Sequence, residues 1–221
     1  MNLNFDTPPN FSTGKRCYRT LTVVRVDRTQ HTMSSKIVKD KGVSPNDLEE
    51  EVAKAIMDIE AAPGNDLRAD LKDFRFAGAK EIECSGGKTN KNAIIVFVPY
   101  TVHQEAKKIL PKLIRELEKK FQKKHIICVA NRTIMDKNFR RRGIQVRPRT
   151  RTLTAVHESI LEDVVYPSEI TGKRTRMATD GSKLLKVTLD RKDKENVEEK
   201  LHVFQAVYRS LTNKDAQFMI P

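Results

Sequence analysis

Residues 131–151, NRTIMDKNFRRRGIQVRPRTR, place the strongest constraint on how this chain folds. Eight Lys/Arg fall there (Arg132, Lys137, Arg140, Arg141, Arg142, Arg147, Arg149 and Arg151) against one acid, Asp136. Apolar residues recur in the stretch with the period of neither a helix nor a strand, so it supplies no core face. The segments before and after it must therefore build the packed layers themselves. A run of this kind suits contact with a polyanion, presented as an arm from a folded scaffold.

The whole chain points the same way. Its 221 residues carry a formal net charge of +13, with 32% charged and 38% hydrophobic residues. Ile, Leu, Val and Phe still suffice for a core. Nucleic acid is the leading partner for such a charge, and an acidic membrane surface the second. Three scattered cysteines (Cys17, Cys84, Cys128) make no disulfide framework and suggest a reducing compartment. The longest apolar run, 93–98, is far too short to cross a bilayer.

Residues 1–32 differ from the rest: Pro8-Pro9, then Arg16, Arg19, Arg25 and Arg28 with few acids. A poorly ordered N-terminal extension is expected there, followed by one domain over 33–221. Ser44-Pro45-Asn46-Asp47 predicts a helix start, with Ser44 as N-cap and Asp47 as the acid of a capping box. Leu48, Val52, Ile56 and Ile59 form its apolar face, and Glu49, Glu50, Glu51, Asp58 and Glu60 read as a solvated acidic face. A second short helix is expected within 67–76. Alternation over 79–84 and the apolar run at 93–98 predict a hairpin. The Gly87-Lys88-Thr89 between them is not a phosphate loop, because position 82 is Ile82 and the loop leads into a strand. Residues 101–124 read as the longest helix, kinked or broken at Pro111, with a lysine-rich outer face. A strand at 126–130 leads into the basic arm.

After the arm, Leu153, Val156, Ile160, Leu161 and Val164 mark a helix capped by Thr152 or Thr154. Strands follow at 173–179 and 184–189, turning at Asp180-Gly181. Asn196-Val197-Glu198-Glu199 reads as a second capping box, and 216–220 as a last strand. The order helix, hairpin, helix, strand thus occurs on both sides of the arm and suggests a structural repeat. The expected fold class is α+β, with helices packed on mainly antiparallel sheet and a long basic loop between the halves.

Catalytic chemistry finds no foothold in the pattern. There is no HExxH, no GxSxG and no glycine-rich dinucleotide fingerprint. His157-Glu158 and His125 with Cys128 lack a third partner at a useful spacing. Catalytic residues, metal ligands and cofactors are accordingly expected to be none. The alternatives kept open are an RNA-processing enzyme and an RNA-tethered protein-interaction module using the acidic first helix.

Several long collinear pieces carry a family resemblance. Arg147-Pro148-Arg149-Thr150-Arg151-Thr152-Leu153-Thr154-Ala155-Val156-His157, Ile160-Leu161-Glu162-Asp163 and Tyr166-Pro167-Ser168-Glu169-Ile170-Thr171-Gly172-Lys173-Arg174 are the most specific. Ala79 to Glu83, Ala93 to Pro99 and Arg115 to Phe121 match in the same order. Over about residues 33–221 the chain resembles the eukaryote-specific small-subunit ribosomal protein family number seven (eS-seven). The resemblance implies a non-catalytic constituent of the small (40S) subunit that binds ribosomal RNA and acts in subunit assembly and pre-rRNA processing. Its implied partners are small-subunit rRNA, neighbouring ribosomal proteins and assembly factors, with no membrane and no small-molecule substrate. Its implied places are the cytosolic ribosome and, during assembly, the nucleolus. The expected rRNA-binding residues are the eight arm cations above together with Lys173, Arg174 and Arg176.

Overall fold

A computed structural model describes residues 36–39, 43–62, 67–84, 92–122 and 124–221. The extension at 1–32 and the Ser85 to Asn90 loop lie outside the described residues. Helix α1 (Asp47–Ala61) and a single turn, α2 (Arg68–Leu71), precede strands β1 (Gly78–Ile82) and β2 (Ala93–Pro99). Helices α3 (Tyr100–Ala106) and α4 (Leu110–Lys120) lead to β3 (His125–Asn131). Beyond the basic stretch come α5 (Leu153–Val165), β4 (Ile170–Met177), β5 (Lys183–Leu189), α6 (Lys194–Val197), α7 (Leu201–Thr212) and β6 (Asp215–Met219).

The strands form two three-stranded sheets, ordered β1-β2-β3 and β4-β5-β6. In each, the hairpin pair is antiparallel and the third strand joins in parallel. The α+β class is as expected, with the sheets mixed rather than mainly antiparallel. The reason lies in the helices between the second and third strands, which carry the chain back to the end where the second strand began. Both halves therefore share strand order and pairing sense around different side chains.

The first sheet is covered on both faces, which explains the unbroken apolar run of β2. Ile94, Val96 and Val98 pack with Ile126 and Cys128 against α1, α2 and α4. Ala93 and Ile95 pack with Ile127 and Val129 against α5 and α7. That second core continues through Val187, Leu189, Ala216 and Phe218 of the second sheet. Phe204 of α7 meets Phe218 edge to face at 5.9 Å.

Local details correct four expectations. The N-cap of α1 is Asn46, in extended conformation, rather than Ser44. The reciprocal acid is Glu49, whose Oε2 accepts from the Asn46 backbone N–H at 2.8 Å. Glu49 is also buried instead of solvated, because it pairs with Lys39 at 2.5 Å and accepts from Ala79 N–H at 3.4 Å. Elsewhere on that face Glu51 and Asp58 are exposed as expected, Asp58 pairing at the surface with Lys120 at 2.9 Å, and the half-buried Glu60 pairs with Lys36 at 2.8 Å. Thr152 occupies the N-cap position of α5, but its Oγ1 donates to the Arg149 carbonyl at 2.7 Å instead of capping. Asn196 lies inside α6 and forms no capping box, since the turn begins earlier, where Asp190 Oδ1 accepts from Lys192 N–H at 3.4 Å. The helix expected over 101–124 is broken before Pro111, which sits in the first turn of α4, the position that needs no N–H donor. Gly181 turns the β4–β5 hairpin at φ +79°, a conformation that side chains disfavour.

Candidate nucleic-acid interface

The basic arm leaves the end of β3 and re-enters at α5, so its two ends lie beside each other. Met135 N–H donates to the Arg151 carbonyl at 2.9 Å across the neck. Between them the backbone runs through turns, with short 3-10 pieces at Phe139–Arg142 and Arg149–Arg151. Gly143 closes the first piece at φ +77°.

The neck is built around Asp163 of α5, 4% exposed. Its Oδ2 accepts from Ala130 N–H at 3.2 Å, and its carboxylate takes both ends of the Arg132 guanidinium. The Arg132 guanidinium carbon lies 5.7 Å from the centre of the Tyr100 ring. His103 Nε2 stands 3.9 Å from Asp163 Oδ1. Burial pushes the His103 imidazole below its ordinary value, and the Asp163 carboxylate raises it only part of the way back. Burial, reinforced by the same carboxylate, pushes the Cys128 thiol up to about 12, so it remains an unreactive thiol.

The expected RNA-facing residues thus separate into two groups. Four are engaged within the protein. Arg132 is held by Asp163. Arg147 is half-buried and donates to the Met135 carbonyl at 2.6 Å. Arg142 pairs with Asp136 at 3.1 Å on the surface, and Lys173 pairs with Glu158 of α5. Arg132 and Arg147 are therefore structural parts of the neck, while the exposed Arg142–Asp136 pair opens at little cost.

The other seven are Lys137, Arg140, Arg141, Arg149, Arg151, Arg174 and Arg176. All are exposed, and their side chains form no ion pair among the described residues. Arg140 rests 6.0 Å from the Phe139 ring centre, an apolar support for a charged fork.

Strand register adds a residue that sequence reading missed. Arg174 lies directly opposite Lys186 of β5, so two like charges share one sheet face with Arg176. Lys186 sits in a strand read only as the return from the Asp180-Gly181 turn, and its partner is visible only from the pairing. Like charges directly opposite destabilise an isolated sheet, and a bound polyanion would offset that.

Together the fold and this surface define a basic α+β protein whose cations are displayed on an anchored arm and one sheet face. Among the described residues there is no group of three or more metal-binding side chains, and no helix is long and apolar enough to cross a membrane. The sequence model of the ribosomal protein S7e family matches residues 36–220. The small ribosomal subunit protein eS7 of Avicennia marina is 46% identical over 191 residues, covering 86% of this chain and 98% of its own. The eS7B protein of Saccharomyces cerevisiae is 45% identical, covering 86% and 98%, and eS7 of Drosophila melanogaster 43%, covering 86% and 96%. The chain belongs to the ribosomal protein S7e family. It is accordingly a ribosomal structural protein and not an enzyme.

Proposed function

We propose that this chain is a constituent of the small ribosomal subunit that fixes ribosomal RNA through its basic arm and the Arg174/Arg176 face. The observation that carries this reading is the division of the cations. Arg132 and Arg147 at the neck are bound by the protein and Arg142 and Lys173 have surface acidic partners, while Lys137, Arg140, Arg141, Arg149, Arg151, Arg174 and Arg176 have none among the described residues. Unpaired arginine forks neutralise phosphates and release counterions. The S7e membership and the small-subunit names of the relatives supply the particle.

Recognition is through backbone and shape, since the displayed side chains are arginines and a lysine suited to phosphate rather than to base edges. The neighbours in the particle are further ribosomal proteins. In this reading the protein also enters early, in the nucleolus with assembly factors, and helps pre-rRNA processing by holding RNA segments in place. The mature site is the cytosolic ribosome.

Ultraviolet cross-linking of purified small subunits, followed by peptide mass spectrometry, tests the assignment. Adducts to rRNA are expected on peptides 137–151 and 173–177. Adducts confined to other faces of the protein would refute it.

A further inference from the structure

A separate cavity of about 460 Å³ lies between α4, the start of β3, the turn at Tyr166–Ser168 and the segment from Asp193 to Phe204. Its wall is divided. Pro111, Ile114, Val165 and Phe204 give an apolar side, and Asp193, Glu195 and Glu199 give carboxylates. Two cations also reach it, Arg115 and Lys200. Lys200 donates to Glu118 at 2.7 Å, so its charge is already matched. Burial pushes the Glu118 carboxyl up, but His125 and Lys200 outweigh this and hold it below the usual range, ionised. Asp193, Glu195 and Glu199 then outnumber Arg115 in the lining, a local reversal in a chain of net charge +13.

The second observation is Ser168. It is 7% exposed, lines the cavity, and its Oγ has no hydrogen-bond partner in the protein. A buried hydroxyl left unmatched is costly, and Ser168 stands in the wall that an entering side chain would touch.

We infer that this cavity receives a lysine or arginine side chain from a basic segment of a neighbouring protein in the subunit. The long aliphatic stem of such a residue suits the apolar wall, and its head suits the carboxylates and the Ser168 acceptor. A phosphate is disfavoured by the same carboxylates, which sets this face apart from the arm. The inference rests on the chain being a subunit constituent.

The test uses intact small subunits from cells in which a photoreactive benzophenone side chain replaces Asn196 at the rim of the cavity. Recovery of the chain in the subunits tests the ribosomal reading separately, before irradiation. The expected product is a cross-link to a Lys/Arg-rich peptide of another protein. Its yield should fall about fivefold or more when Glu195→Gln and Glu199→Gln are combined, as two lost charge-assisted contacts predict. A cross-link to RNA, no cross-link to any macromolecule, or an unchanged yield in the double variant would overturn the inference.

Discussion

Asp163 of α5 holds Arg132, the first cation of the basic arm, in a two-pronged ion pair buried at the arm's neck. One of the residues expected from the sequence to face RNA is thus tied into the scaffold. Breaking a buried pair by removing one partner leaves the other charge uncompensated. Asp163→Asn should cost about 3–5 kcal/mol in urea unfolding, and the double variant Asp163→Asn/Arg132→Met should recover much of it. Additive losses in that cycle would mean that the two side chains act independently.

His103 beside this pair makes stability depend on pH. Its folded value lies below the ordinary 6.5, so above that both states are neutral and the native state bears no penalty. As pH falls through the window below 6.5, the unfolded chain takes the proton first and native stability is lost. The urea midpoint should drop from about pH 7 to about pH 5.5, and drop less in His103→Gln. Equal drops in both proteins would place the titration elsewhere.

Glu49 ties the start of α1 to β1. Removing it by Glu49→Ala frees the N–H groups of Asn46 and Ala79 and leaves Lys39 with only its hydrogen bond to the Ser44 carbonyl. A loss of about 2 kcal/mol is expected in urea unfolding, the sum of a lost cap and a buried donor left unmatched. Gly78→Ala presses on the same carboxylate, since a Cβ there would stand 3.2 Å from Glu49 Oε1. Its smaller loss should vanish in the Glu49→Ala background.

The Arg174–Lys186 pair predicts a trade between folding and binding. Lys186→Thr removes the like-charge contact and should stabilise the free protein by about 0.2–1 kcal/mol. The same change should weaken binding to an rRNA fragment and lower the salt slope by about one. Gain of stability with unaltered RNA binding would exclude Lys186 from the interface.

How far the sequence spoke depended on what each feature required. The apolar run 93–98 could only be a strand covered twice, and the break before Pro111 follows from a missing donor. The order of elements in both halves was legible for the same reason. Register was not: nothing in Leu184 to Leu189 says that Lys186 faces Arg174. Pairing across distance was hidden too, so Glu49 read as solvent-facing until Lys39 and Ala79 were seen beside it. The arm itself was evident from charge. Its division into anchored and displayed cations needed Asp163, thirty-one residues from Arg132 in the chain.

The central claim is that the displayed arm arginines hold this protein on the small subunit. Sedimentation of tagged chains through sucrose gradients at rising salt tests it most directly, comparing the parent with the triple variant Arg140→Ala/Arg141→Ala/Arg142→Ala. The parent should migrate with small subunits, and the triple variant should be released at lower salt, with the salt slope of binding to rRNA reduced by about two to three. A triple variant that stays with the subunits at every salt concentration where the parent does would contradict the account.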